Sequence, residues 1–308
     1  MKENSVKNFF LNVLKGALMG IALIIPGFSG GTVAVVLGIY YGLVSAVSGL
    51  FRHFSKNFLY LLPFAIGMVL AVVALIVPIS AALEYLPLPT ICLFVGLMLG
   101  GVPPIAAEAG KPNKFAYVAA FIIACAVAVG LCFIPALGDA DRSASPTAGT
   151  YFSLLGVGFT GACGFVVPGI SGSMILMVLG YYNYILGAGR ELLSLTNVGT
   201  NILIILVFAV GVIIGFFVIS MIMKALLARY KRGTYYAILG FIAGSVFTLF
   251  YQQADSLINH SLNVPLQAVL AGLLFLVGAG ASGLFCVYAE RKKRKDEALK
   301  EDGGENKA

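Results

Sequence analysis

Long apolar stretches separated by short polar connectors dominate the pattern of this chain. A membrane-spanning helix needs roughly 20 consecutive, mostly apolar residues. Six stretches reach about this length, at residues 58–79, 88–107, 115–135, 202–223, 234–251 and 264–288. The pattern therefore predicts an all-α polytopic membrane protein with these six stretches as transmembrane helices.

Two further apolar regions are interrupted by the same small motif. The first reads IIPGFSGGTV at residues 24–33, and the second reads VVPGISGSMI at residues 166–175. Pro and Gly both weaken the interior of a helix, and irregular backbone is tolerated at membrane depth only where protein covers it or where it lines a cavity. We predict that each motif is the tip of a re-entrant helical hairpin, with two full crossings as the alternative. The arms before the tips are 16–25 and 160–167, and the arms after them are 33–47 and 174–188.

The two motifs belong to a duplicated unit. Pro26 and Pro168 are 142 positions apart (168 − 26). One hairpin and three spans make an odd number of crossings, so the second copy must enter the membrane upside down. We predict an inverted repeat with units 16–136 and 152–289, an external loop 137–151, an amphipathic N-terminus 1–15 and a basic tail 290–308. The residues identical at this offset are Gly16/Gly158, Gly27/Gly169, Ser29/Ser171, Gly30/Gly172, Val36/Val178, Leu37/Leu179, Gly38/Gly180 and Tyr40/Tyr182.

Composition and charge agree with a membrane protein and set its orientation. The chain is 60% hydrophobic and only 11% charged, whereas soluble domains have about 25% charged residues. Its net charge is +7, but the basic residues lie between spans and at the C-terminus, so nucleic acid is not a predicted partner. With the predicted topology, 18 of the 20 Lys and Arg residues face one side, and Arg142 and Arg190 face the other. The positive-inside rule then places both termini in the cytoplasm, with a flexible tail attracted to anionic lipids.

The side chains that usually support enzyme chemistry are absent from the apolar segments. The sequence shows no Ser-His-Asp set, P-loop or paired carboxylates, and His53 and His260 lie in polar connectors. The cysteines have no CxxC spacing and are predicted to be packing residues. We therefore predict no metal, no cofactor and no enzyme activity, and a homo-oligomer is compatible with this composition. The five cysteines are Cys92, Cys125, Cys132, Cys163 and Cys286.

The motif residues offer a way to bind an anion. In inverted-repeat transporters, substrate sites lie near the midplane where broken helices meet. Ser29 and Ser171 are placed to cap the second arms, and the N–H groups that follow lie at helix starts, which attract anions. Arg52 and Arg190 follow the second arms and are candidate cations, although Arg190 could instead cap its helix beside Glu191. Close helix packing is the alternative role for the small residues. The predicted site residues are Pro26, Gly27, Ser29, Gly30, Gly31, Thr32, Pro168, Gly169, Ser171, Gly172, Ser173, Arg52 and Arg190.

The segments PGFSGGT…LGIY and PGISGS…LGYY resemble the paired signatures of a bacterial membrane family known as domain of unknown function 368. The resemblance covers residues 10–290, and members of that family are regarded as polyprenyl-phosphate transporters. It implies that the substrate is undecaprenyl phosphate, the carrier lipid of cell-wall synthesis, returned from the outer to the cytoplasmic leaflet. In that family, acidic residues are common at three positions near the motifs. This sequence has Leu23, Tyr41 and Asn183 at those positions. A transporter of a small soluble anion and a lipid-modifying membrane enzyme are the alternative functions.

The predicted topology can be tested by cysteine labelling in intact cells. A cysteine introduced at Asn197 is expected to react with a membrane-impermeant thiol reagent from outside, and one at Asn113 is expected to be protected, because the two connectors lie on opposite sides. The chain without an introduced cysteine gives the background. Labelling of both positions from the same side would contradict the inverted repeat.

Overall fold

The computed structural model describes residues 2–24, 29–134, 140, 145–168, 170–252, 254, 257 and 263–305, and it contains no strand within them. Within these residues the first half has seven α-helices and a short 3-10 helix, and the second half has seven more α-helices. In chain order the helices are α1 (Lys2–Ile24), α2 (Gly30–Val36), α3 (Tyr40–Ser48), α4 (Phe54–Tyr85), α5 (Pro87–Gly100), α6 (Val102–Ala109), α7 (Phe115–Gly130), the 3-10 helix (Leu131–Phe133), α8 (Ala148–Gly161), α9 (Cys163–Val166), α10 (Gly172–Val178), α11 (Tyr182–Leu193), α12 (Val198–Arg229), α13 (Lys231–Gln252) and α14 (Val264–Glu305).

Seven helical segments of the described chain are long and apolar enough to cross a membrane. Six of them overlap the six predicted spans, so the prediction of an all-α, multi-pass membrane protein is confirmed. The seven segments are Phe54–Leu75, Pro87–Ala109, Phe115–Phe133, Ala148–Val166, Val198–Arg229, Lys231–Tyr251 and Val264–Leu284.

The segment Ala148–Val166 corrects the short first arm predicted at residues 160–167. A capping box starts the helix much earlier, because the Thr150 N–H donates to Thr147 Oγ1 at 3.3 Å and the Thr147 N–H donates to Thr150 Oγ1 at 3.2 Å. Such reciprocal bonds satisfy two donors that a helix start otherwise leaves unpaired. The corresponding apolar helix of the first half, Asn8–Ala22, is shorter.

The C-terminal helix is longer than the sequence analysis predicted. We expected a flexible tail from residue 290, but α14 continues to Glu305. The segment consists mainly of Lys, Arg, Glu, Ala and Leu, which are strong helix formers. Propensity therefore continues the helix beyond its apolar part.

Four tight helix pairs form the framework. Helix α1 packs on α4 and α8 packs on α12, so each of these pairs lies within one half of the chain. Helix α5 instead packs on α14 and α7 packs on α13, so these pairs each join the two halves. Two of the four pairs thus exist only because the halves are assembled on one another.

Glycines allow the paired helices to approach backbone to backbone. A Cβ added at Gly67 would lie 1.9 Å from the Val13 carbonyl oxygen, and one at Gly211 would lie 2.2 Å from that of Leu155. Small residues at such interfaces are typical of membrane helices, whose association depends on close packing rather than on the hydrophobic effect. Other glycines that meet a facing carbonyl oxygen within 2.4 Å are Gly16, Gly96, Gly100, Gly158, Gly215, Gly240 and Gly278.

We expect Gly211→Ala to destabilise the protein by about 1 to 3 kcal/mol, because the added methyl group would force α8 and α12 apart. Gly156→Ala is the matched control, since a Cβ at Gly156 on α8 meets nothing within 4 Å. The control should be neutral or more stable by about 0.5 to 1 kcal/mol, because alanine favours a helix. Thermal unfolding in detergent measures both variants, and equal melting temperatures would show that Gly211 is not a packing contact.

Candidate functional site

Each motif places its serine immediately before a short helix. Ser29 precedes α2 and has φ −110° and ψ 128°, and Ser171 precedes α10 with φ −91° and ψ 124°. Extended backbone followed by a helix defines an N-cap position. The predicted positions of the two serines at helix starts are therefore correct.

The predicted capping bonds are absent, however. Neither serine side chain makes an N-cap hydrogen bond. The Ser29 hydroxyl instead donates to the carbonyl oxygens of Gly164 at 3.0 Å and Val167 at 3.4 Å. Ser171 Oγ lies 2.9 Å from Ser173 Oγ. The prediction that these side chains cap their own helices was wrong: the Ser29 hydroxyl bonds to the second motif, and the Ser171 hydroxyl bonds to Ser173.

The Gly164 carbonyl needs a hydrogen-bond donor because of the proline in the second motif. In an α-helix the carbonyl of Gly164 would accept from the N–H of residue 168, but residue 168 is proline and has no N–H. A buried carbonyl without a donor costs about 1 to 3 kcal/mol. The Ser29 hydroxyl supplies that donor from the first motif, so the first motif satisfies the break of the second.

Tyr40 makes a second bond between the same two segments. Its hydroxyl donates to the Val166 carbonyl oxygen at 2.6 Å, and the side chain is only 6% exposed. Gly31 adds a close approach, because a Cβ there would lie 3.2 Å from both the Phe165 carbonyl oxygen and the Pro168 nitrogen. We did not predict a role for Tyr40 in the site. The signal that could have suggested one is that Tyr40 and Tyr182 are identical at the repeat offset.

The second motif lines a cavity of about 490 Å³. Ser171, Gly172 and Ser173 contribute polar groups to its lining, and α12 contributes apolar side chains. None of the residues that line this cavity carries a formal charge. Its full lining is Gly161, Gly164, Phe165, Ser171, Gly172, Ser173, Leu176, Ile205, Phe208, Ala209, Val212 and Ile213.

Glycines allow the backbone segments beside this cavity to pack closely. A Cβ at Gly164 would lie 1.9 Å from the Gly172 nitrogen, so only glycine allows α9 to touch the start of α10. A Cβ at Gly172 would lie 3.0 Å from the Gly161 carbonyl oxygen. At both places glycine allows two backbone segments to pack closely.

The described site residues fall into three groups. Ser29, Gly30, Gly31 and Thr32 are buried, and Thr32 lines a separate apolar cavity of about 400 Å³ between α1, α2, α4, α5 and α14. Pro168 is buried and lines a third cavity of about 250 Å³. The second motif, from Ser171 to Ser173, lines the first cavity. Pro26, Gly27 and Gly169 lie outside the described residues.

The two predicted arginines are not brought to the cavity by any described contact. Arg52 is exposed in the turn between α3 and α4. Its backbone N–H donates to the Gly49 carbonyl oxygen at 3.0 Å. Arg190 lies in α11, and its side chain is outside the described residues. Their roles as cations for the substrate therefore stay predictions.

Comparisons with known proteins find a matching family model and relatives named as transporters. A family model described as VCA0040-like, undecaprenyl phosphate translocase-like, matches residues 19–263. A polyprenyl-phosphate transporter of Staphylococcus aureus (strain NCTC 8325 / PS 47) is 34% identical over 246 residues, which cover 78% of this chain and 86% of that protein. A polyprenyl-phosphate transporter of Vibrio cholerae serotype O1 (strain ATCC 39315 / El Tor Inaba N16961) is 30% identical over 255 residues, covering 78% and 77%. No solved structure matches the chain.

Proposed function

We propose that this chain, which belongs to the undecaprenyl phosphate translocase-like family, is a bacterial transporter of a polyprenyl phosphate lipid. The proposal rests on the cavity beside the second motif, to which Ser171, Gly172 and Ser173 contribute polar groups and α12 contributes apolar side chains. A polyprenyl phosphate combines a compact anion with a long hydrocarbon chain. A cavity with polar groups and apolar side chains in its lining suits both parts of such a molecule.

The phosphate is the part that requires specific binding. A phosphate monoester carries about −1.5 to −2 charges near pH 7, and moving a bare ion into an apolar medium costs tens of kcal/mol. In our proposal the backbone N–H groups and hydroxyls at the starts of α2 and α10 bind it, while the prenyl chain stays in lipid through a lateral opening. A helix terminus contributes only about 0.3 to 2 kcal/mol, so Arg52 and Arg190 assist from the two sides of the membrane.

We further propose that the two halves are inverted repeats. Equivalent positions have the same unusual backbone, since Gly38 has φ 67° and Gly180 has φ 74°. The helix pairs support the same relation: α1 on α4 corresponds to α8 on α12, and α5 on α14 corresponds to α13 on α7. Matching glycines make these contacts, because Gly67 faces Val13 just as Gly211 faces Leu155.

The re-entrant hairpins are proposed on the lengths of the second arms. The second arm of the first half consists of helices of 7 and 9 residues, and that of the second half consists of helices of 7 and 12 residues. None of the four reaches the about 20 residues needed for a crossing. The first arm of the second half is long enough to cross, so in that half the alternative is two full crossings, with α10 and α11 together returning the chain to the same side.

We propose that transport returns undecaprenyl phosphate from the outer to the cytoplasmic leaflet for reuse in cell-wall synthesis. With both termini in the cytoplasm, 18 of the 20 basic residues lie on the side where the phosphate is released. Arg190 is then one of two basic residues outside and the candidate receiver of the incoming phosphate.

Gly172→Leu is expected to abolish transport of polyprenyl phosphate into the inner leaflet of liposomes, because the side chain would fill the cavity beside the backbone donors. Gly30→Leu is expected to do the same from the first motif. Gly156→Leu is the matched control and should transport normally, because Gly156 is exposed and a Cβ there meets nothing within 4 Å. Normal transport by folded Gly172→Leu and Gly30→Leu proteins would make these glycines packing residues only.

Arg190→Ala is expected to slow uptake from the outer leaflet about ten- to hundredfold, through loss of a charge-assisted hydrogen bond of roughly 1.5 to 3 kcal/mol. Arg190→Lys should recover part of this loss, because lysine keeps the charge but not the planar fork that binds two phosphate oxygens. Carrier lipid at the cell surface, measured by an impermeant phosphate-recognising antibiotic, should rise in the Arg190→Ala strain. Unchanged surface lipid in cells without another recycling transporter would remove Arg190 from the mechanism.

A further inference from the structure

Two serine hydroxyls are buried without a hydrogen-bond partner in the described part of the chain, that of Ser220 on α12 and that of Ser282 on α14. Only 1% of Ser220 and 6% of Ser282 is exposed. Other buried hydroxyls of the helices are paired, since Thr234, Ser245 and Thr248 each donate to the carbonyl oxygen four residues earlier. A buried polar group without a partner is destabilising. Serine at these two positions therefore lowers the stability of the fold.

Ser282 differs from Ser220 because it lines a cavity. The cavity of about 400 Å³ between α1, α2, α4, α5 and α14, which we call the α14 cavity, has Thr32 and Ser282 as the only polar side chains among the described residues that line it. Ser220 lines none of the three cavities described above. A mostly apolar pocket of about 300 to 1,000 Å³ with a few polar groups is typical of small-molecule sites. The Ser282 hydroxyl is thus an unused donor within an apolar pocket.

The α14 cavity reaches the surface that faces lipid. Both α4 and α14 contain segments able to span a membrane. Residues of both helices lie at the rim, because Ala281 is exposed and Leu75 and Ile79 are only partly buried. Water is a poor occupant, since a buried water usually makes about three hydrogen bonds and the lining is almost entirely apolar. Hydrocarbon that enters from the membrane suits this lining.

The second half has a cavity in the equivalent place. An offset of 144 relates Gly67 to Gly211 (211 − 67) and Gly96 to Gly240 (240 − 96). At this offset, four residues that line the α14 cavity correspond to four that line the cavity of about 250 Å³. A space that recurs at equivalent positions of both halves belongs to the repeated unit. The corresponding pairs are Ile79/Met223, Leu93/Ala237, Phe94/Ile238 and Leu97/Phe241.

We infer that the α14 cavity binds the end of the prenyl chain that is joined to the phosphate. The inference rests on the proposed function, in which the phosphate lies at the starts of α2 and α10. Thr32 and Val33, in the first turn of α2, line the cavity, so the first isoprene units enter it while the rest of the chain stays in lipid. The Ser282 hydroxyl donates to an oxygen of the phosphate ester, an acceptor that a hydrocarbon chain alone does not offer.

The test is photo-crosslinking in proteoliposomes with an undecaprenyl phosphate that carries a diazirine on the isoprene unit next to the phosphate. Crosslinks, mapped by mass spectrometry, are expected on the residues of α5 and α14 that line the cavity. Unlabelled undecaprenyl phosphate should reduce them, whereas phosphatidic acid, a phosphate monoester with acyl chains, should not. Equal competition by phosphatidic acid would indicate a general site for lipid chains and overturn the inference.

Ser282→Ala is expected to lower crosslinking in the cavity about tenfold, as for loss of one hydrogen bond to a charged group. Ser282→Leu should lower it further, because its side chain fills part of an apolar pocket in which one misplaced hydrocarbon group has an effect of about tenfold or more. Ser220→Ala is the matched control, since it removes the other unpaired hydroxyl, and its crosslinking should be unchanged. Crosslinks that form elsewhere, or that a folded Ser282→Ala protein retains in full, would contradict the inference.

Transport of undecaprenyl phosphate by the same proteoliposomes separates this site from the proposed function. Transport accompanied by crosslinks outside the α14 cavity would contradict the inference alone. Crosslinks within the cavity of a protein that does not transport the lipid would contradict the proposed function and leave the binding site standing.

Discussion

Every backbone polar group within the hydrocarbon of a membrane needs a partner inside the protein, and the two broken segments are organised by this requirement. Helices satisfy it locally, but Pro168 removes the donor that the Gly164 carbonyl would otherwise receive. The Ser29 hydroxyl replaces that donor at 3.0 Å, and Tyr40 supplies another to Val166 at 2.6 Å. The break in one half is therefore stable only while the other half lies against it.

The helix pairs extend the same dependence across the molecule. Lipid is as apolar as the helices, so their association depends on close packing and not on the hydrophobic effect. Glycine provides this packing where α5 meets α14 and where α7 meets α13, with Gly96 facing Phe275 and Gly240 facing Phe121. Because both pairs join the two halves, the halves cannot move apart as rigid bodies without breaking these contacts.

The sequence was sufficient for features that depend on composition and length. All six predicted spans were found, because a long apolar run has few alternatives to a membrane helix. Ala148–Val166 was missed as a span: it is the least apolar of the seven, and its start depends on the bonds between Thr147 and Thr150. The role of Tyr40 and the true partner of Ser29 could not be predicted, since both depend on contacts between residues more than 120 positions apart. Repetition marked these residues as important, but it did not show which atoms they would meet.

The uncharged lining of the cavity bears on how a transporter can both bind and release an anion. A buried arginine or lysine would hold a phosphate through charge-assisted bonds of about 1.5 to 3 kcal/mol each, and it would remain charged throughout the cycle. Hydrogen bonds from backbone N–H groups and serine hydroxyls to a phosphate are also charge-assisted, because the acceptor is ionised, but these donors carry no net charge, and their dipoles act strongly where the surroundings are apolar. Their strength also depends on geometry, because they converge on an anion only while both helix starts face it. In the transport that we propose, any movement that parts the two helix starts removes half of these donors. The phosphate is then released without any charged side chain having to be neutralised within the membrane.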